Sequence, residues 1–200
     1  MPFDITLRPS DSLTPRELDE IWEVTDRYVE TSRAHYEAQL RALPEVGLWR
    51  EKGGKLVGLE SLDVYRVQRE GRTSIIIFTS SVVIDDRFRG RDLVLRTGLK
   101  LFVRGKIRRP WAQAYWFFDT FSYKSYMILP RSLDEFWPRR NHPTPTDISS
   151  FIDFLARQRY DDAWMPSSGV VKRSGLTEPS RCAPARLSRA TSAAPEKQFR

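Results

Sequence analysis

The residues from Ser80 to Arg96, Ser-Ser-Val-Val-Ile-Asp-Asp-Arg-Phe-Arg-Gly-Arg-Asp-Leu-Val-Leu-Arg, combine the types best suited to holding an anion. An apolar run ends at Ile84, a short loop follows with Arg87, Arg89 and Arg91, and the pattern predicts a helix opening near Asp92. The first N–H groups of a helix have no partner within it and sit at the positive end of its dipole. A loop feeding such a start suits a phosphate or pyrophosphate. The plainer reading of the same residues is a solvated basic turn, and the spacing alone leaves both open. Asp92 falls where an ordinary helix cap is expected, which also places a carboxylate where the anion would go. Arg96, Lys100 and Arg104 then recur at i, i+4 positions opposite an apolar stripe of Leu95, Leu99, Phe102 and Val103. The basic stripe reads as a solvated face; the sharper alternative has Arg96 or Lys100 meeting an anionic group.

The elements that must position this loop follow from periodicity. Ile5–Arg8 alternates as a short strand. Thr14-Pro15-Arg16-Glu17 is a helix start, with a capping threonine, a proline whose missing N–H costs nothing, and a glutamate that reaches back. Ser32 starts a second helix that stops at Pro44. Residues 46–50, 55–68 and 73–84 read as strands, with turns at Gly53-Gly54 and Arg69-Glu70-Gly71. A helix over 92–106, a buried strand over 111–119, a short helix over 122–129 ended by Pro130, and a last helix capped by Thr146 or Asp147 complete the pattern. Only residues 164–172 remain to supply a further strand. The expectation is an α/β domain over residues 1–170, with a mixed, mainly antiparallel sheet and helices on both faces.

The order of elements and the 80–96 loop together resemble the GNAT acyl-CoA N-acyltransferase superfamily over roughly Ile5 to Leu129. Arg89, Gly90 and Arg91 match the start of that family's Arg/Gln-x-x-Gly-x-Gly/Ala loop. The resemblance implies an acyltransferase taking acetyl-CoA or another acyl-CoA, with an amine of a small molecule or peptide as acceptor. Val82, Val83 and Ile84 would then line the pantetheine arm, and Arg87, Arg89, Gly90, Arg91 and Asp92 would surround the pyrophosphate. Catalysis in the family commonly uses a carboxylate base and a tyrosine acid. Glu60 lies in the strand region where the base would sit, and Tyr126, with Tyr123 as substitute, supplies the acid. Outward exposure on a strand is the plainer reading of Glu60, and helix packing that of both tyrosines. The family's first glycine falls on Asp92 and its second small residue on Val94. A non-catalytic relative binding another ligand or a protein partner is therefore the alternative.

Composition bounds what else is open. The chain has 200 residues, 40% hydrophobic and 12% aromatic, enough for one packed core. One cysteine, Cys182, and two histidines, His35 and His142, leave no disulfide framework and no metal site to expect. The net charge of +7 sits mostly in residues 171–200, which hold seven Lys or Arg against two Glu and read as a basic, disordered tail. Nucleic acid is not expected as a partner, because the first 170 residues are close to neutral; binding through the tail and the Arg96–Arg104 stripe is the residual alternative. No apolar run approaches the length of a membrane span, and the first residues carry no leader pattern, so a cytoplasmic setting without a membrane partner is expected.

Overall fold

A computed structural model describes residues 3–120 and 126–172 of the chain. The first strand, β1, spans Phe3–Pro9, and two helices follow, α1 at Pro15–Thr25 and α2 at Arg33–Arg41. The predicted start of α1 is built as a reciprocal cap. Thr14 Oγ1 accepts from the Glu17 N–H at 3.2 Å, and the Thr14 N–H donates to Glu17 Oε2 at 2.8 Å. Ser32 caps α2 in the same manner, accepting from the His35 N–H.

A meander of β2 (Glu45–Glu51), β3 (Leu56–Arg69) and β4 (Arg72–Ile84) comes next. Helix α3 (Leu93–Arg108) then carries the chain across to β5 (Gln113–Phe118). The strands lie side by side in chain order; every neighbouring pair is antiparallel except β4 and β5, which run parallel. A parallel pair needs a crossover of this length between its strands, and α3 is that crossover. The mixed, mainly antiparallel sheet expected from the sequence is therefore present.

Helices cover both faces. On one, α1 and α2 bury Leu18, Ile21, Val24, Tyr36 and Leu40 against Val46, Leu48, Leu59 and Val83. A later helix, α5 (Thr146–Tyr160), adds Leu155, Phe151 and Phe154 against Val67, Ile76 and Tyr115. On the other face α3 packs Leu93 against Trp49 and Val57, and Leu101 against Leu62 and Ile77.

Four local expectations need correction. The side of α3 that meets the sheet is not the apolar stripe but the row Leu93, Thr97, Gly98 and Leu101. Leu99, Phe102 and Val103 point to solvent instead. The reason is steric. A Cβ on Gly98 would touch the Trp116 ring at 3.4 Å, and one on Gly105 would meet Ile75 at 3.2 Å. Large residues on that side would hold the helix away from the sheet. The basic stripe is correspondingly engaged rather than solvated: Lys100 Nζ donates to the Ile5 carbonyl at 2.8 Å, and Arg104 pairs with Glu45 at 2.9 Å.

The expected 122–129 helix falls partly outside the described residues. A short helix, α4 (Ile128–Ser132), occupies its end, and Pro130 lies inside the first turn, where no N–H is needed, instead of ending it. Helix α5 begins at Thr146 without a side-chain cap, because Pro145 occupies the cap position. Residues 164–172 do form strands, β6 (Trp164–Met165) and β7 (Val170–Val171), but these pair only with each other. The outer edge of β5 thus has no strand beside it among the described residues. The expected tail lies outside the described residues beyond Lys172.

Candidate functional site

The parallel pairing of β4 with β5 runs from Ser74 opposite Gln113 to Thr79 opposite Phe118 and then stops. Strand β4 continues for five more residues, Ser80–Ile84, with no strand on that side among the described residues. In the same place its pairing with β3 slips. Leu59 faces Val83 and Ser61 faces Ser80, so Ser81 and Val82 together span the place opposite Glu60. Ser81 takes a φ of 51°, the left-handed region that makes room for the extra residue. Such a bulge bends the strand and leaves backbone groups out of the ladder. Val82, exposed, and Ile84, partly buried, stand on this stretch, whereas Val83 turns into the α1 side of the core. The strand order, the single parallel pair and the bulged, half-free β4 form one arrangement. The chain has a GNAT-type fold.

The loop that follows β4 has two halves. In the first, every amide is already committed: Asp85 N–H to Val57, Asp86 N–H to the Tyr28 hydroxyl at 3.0 Å, Arg87 N–H to Asp85 Oδ1, Phe88 N–H to Asp85 and Arg89 N–H to Asp86. In the second half, the N–H groups of Gly90 to Leu95 have no partner among the described residues. These are the amides at the start of α3, where an anion is best received. Gly90 and Asp92 both have positive φ, 79° and 56°. Asp92 occupies the cap position but makes no capping hydrogen bond, because its left-handed backbone differs from the extended one a capping side chain requires. The ordinary-cap reading of Asp92 is thereby corrected. Val94 packs against the Trp49–Val57–Leu93 cluster.

The three loop arginines divide likewise. Arg87 folds back on Asp85, donating from Nε at 3.0 Å and Nη2 at 2.8 Å, and Arg89 pairs with Asp86 and lies over the Tyr28 ring. Arg91 has no ion pair among the described residues and lines a cavity of about 290 Å³ with Phe3, Glu51, Lys52, Gly53 and Phe88. Asp85 organises the first half. It is almost buried, and the hydrogen bonds from Arg87, with Arg27 nearby, hold its carboxyl down at about 2. Nothing in the sequence pattern singled out Asp85 or Tyr28; an acid directly after an apolar strand end was the available signal.

Glu60 is not outward-facing, as the plainer reading had it. It is wholly buried on the α3 side, beside Gly47, and neither carboxyl oxygen has a hydrogen-bond partner. Burial pushes its carboxyl up to about 8. The nearby Thr97 hydroxyl offsets this only in part, since it also serves the Leu93 carbonyl and accepts from Trp49 Nε1 at 2.8 Å. Tyr126 donates its hydroxyl to the Pro138 carbonyl at 3.0 Å and meets the Phe136 ring edge-on. Tyr123 lies outside the described residues.

No family model matches the chain, and no curated protein matches it. Solved structures similar to it include a ribosomal-protein-alanine N-acetyltransferase from Brucella melitensis biovar Abortus, 13% identical, covering 72% of this chain and 99% of that one at a TM-score of 0.47. An acetyltransferase from Trypanosoma brucei is 21% identical over 71% of this chain and 100% of its own, at 0.46. An aminoglycoside 6'-N-acetyltransferase from Acinetobacter haemolyticus is 14% identical over 70% and 97%, at 0.45. These likenesses are loose, and the GNAT-type fold is read from strand order and register rather than from them.

Proposed function

We propose that the chain transfers an acyl group, acetyl first among them, from coenzyme A to an amine of a small molecule or peptide. The observation that supports this reading is the free edge of β4 at its bulge, leading into a helix start whose amides from Gly90 to Leu95 lack partners among the described residues. An extended arm bearing its own amides adds to such an edge as another strand would, so Val82–Ile84 are the proposed pantetheine-binding residues. The pyrophosphate takes the amides of Gly90, Arg91 and Asp92 and the positive end of α3, with Arg91 as the nearest available cation. Arg87 and Arg89 hold the loop in shape from behind.

Transfer joins the amine nitrogen to the acyl carbon and breaks the carbon–sulfur bond, so the amine must lose a proton and the departing thiolate gain one. Glu60 is the proposed base and Tyr126, with Tyr123 as substitute, the proposed acid. Being buried, Glu60 takes the proton through water, and with its carboxyl near 8 it is largely protonated at neutral pH. The rate is expected to climb as pH rises through that value. Tyr126 acts by exchanging the Pro138 carbonyl for the leaving sulfur.

Asp92 and Val94 favour a second reading, a non-catalytic domain whose cleft takes another ligand or a protein partner. A carboxylate beside the free amides repels pyrophosphate, and a β-branched residue restricts approach. Calorimetric titration with acetyl-CoA separates the two. Saturable heat followed by acyl transfer to an amine supports the transferase; no heat at millimolar ligand leaves the second reading.

A further inference from the structure

The surface of α3 that faces away from the sheet is an apolar ridge. Leu99 is 61% exposed, Phe102 39%, Val103 46% and Ile107 77%, and Trp111, just past the helix, is 88% exposed. Leu99, Phe102, Val103 and Ile107 follow helical spacing, so they form one line over about 12 Å of the C-terminal half of the helix, and Trp111 follows in the turn beyond it. A patch of this kind on a protein surface marks something that covers it. The charges around the ridge say what. Between Leu93 and Ala112 the chain has Arg96, Lys100, Arg104, Lys106, Arg108 and Arg109 and no acidic residue at all. Among the described residues the one ion pair to a cation of the helix is that of Arg104 with Glu45.

We propose that the outer ridge of α3 lies on the surface of a bilayer containing anionic lipid. Apolar side chains on one line, cations along the flank and at the C-terminal end, and a tryptophan at the margin are the pattern of a helix that rests in the plane of a membrane interface. A second copy of the chain does not suit the ridge, because a two-fold contact would set the cations at the C-terminal end of the helix, Lys106, Arg108 and Arg109, against like charges. A protein groove suits it less than a flat surface does, because α3 is the single long helix on that face among the described residues and stands out as a ridge. Among the described residues no helix is long and apolar enough to cross a membrane. The expectation of no membrane partner rested on the lack of a spanning apolar run and of a leader pattern, and neither bears on a helix lying flat. The site for coenzyme A is not involved, so the proposal stands apart from the acyltransferase reading.

The test is sedimentation of the full chain with phosphatidylcholine vesicles, either pure or carrying about a third phosphatidylserine. Binding is expected to the anionic vesicles only and to weaken as salt is raised. The double variant Ile107→Glu, Trp111→Glu alters two exposed side chains, so its helical signal should be unchanged. Its vesicle affinity is expected to fall roughly tenfold or more. Full binding by that variant would assign the effect to the basic residues beyond Lys172 and overturn the proposal. Equal binding to neutral vesicles, absence of binding, or a ridge-dependent complex with an acidic helical peptide in place of vesicles would overturn it as well.

Discussion

Glu60 and Asp92 are both acidic, and the fold treats them in opposite ways. Glu60 is shut off from bulk solvent and neither carboxyl oxygen has a hydrogen-bond partner among the described residues, so its neutral form is favoured and its carboxyl rises to about 8. In the unfolded chain it ionises at its ordinary value of 4.5. Between those two values the folded state keeps a proton that the unfolded state has released. Stability from this residue is therefore full below 4.5 and is lost as pH rises toward 8, at about 1.4 kcal/mol per pH unit. Urea unfolding at pH 5 and at pH 8 should show the wild type weakening across the range, and Glu60→Gln should remove that slope. A Gln variant with an unchanged slope would show that another group titrates. Asp92 is exposed and holds a left-handed backbone that a residue with a side chain adopts at a cost of about 1 kcal/mol. Asp92→Gly relieves that strain and removes a negative charge from beside the free amides. We expect slightly higher stability and a lower dissociation constant for acetyl-CoA by calorimetry; weaker binding would mean that the carboxylate shapes the site.

At the level of elements, the bulged junction of β3 and β4 decides whether there is a site. Gly58 makes that junction tight. A Cβ there would stand 2.6 Å from the Val83 carbonyl and 2.9 Å from the Trp49 ring, and neither neighbour has room to retreat. Gly58→Ala is expected to cost about 2 kcal/mol or more in chemical unfolding and to disturb the register that holds Ser81 and Val82 out of the ladder. By contrast, Gly53 has open space at its Cβ position, and Gly53→Ala should change stability by less than about 1 kcal/mol. Equal effects of the two substitutions would refute the role given to Gly58. The other element that matters is α3, tied to the sheet by the Trp49–Thr97 hydrogen bond, by Lys100 on β1 and by Arg104 on β2. These ties fix where its N-terminal amides point.

Over the whole molecule, the core clusters and every named site residue lie before Lys172, while most of the net charge lies after residue 170. A chain ending at Lys172 is thus expected to keep the melting temperature and the acetyl-CoA titration of the full chain. If the shortened chain lost coenzyme binding, the basic end would have to reach the site. Nucleic-acid binding with a steep salt dependence, abolished by the same truncation, would support the alternative in which the basic end contacts phosphates.

Local and periodic features were legible in the residues alone. The Thr14–Glu17 cap, the Ser32 cap, the three strands of the meander and the loop from Asp85 to Asp92 could all be read because each depends on residues a few positions apart. The strand order and the likeness to a known fold came from these. Long-range packing settled the remainder. The stripe of α3 that packs inward is set by the glycines that face Trp116 and Ile75, residues from other strands, and an apolar stripe in one dimension carries no record of them. Glu60 became buried because α3 lies over it, and Asp85 became the organiser of the loop because Arg27 and Tyr28 arrive from α1's C-terminal end. Free amides were expected at the start of the helix; the five N–H groups of the loop from Asp85 to Arg89 are used inside the chain, and those from Gly90 to Leu95 remain without a partner among the described residues. Periodicity reports the spacing of residues along an element. Which neighbours surround each one depends on contacts between residues far apart in the chain.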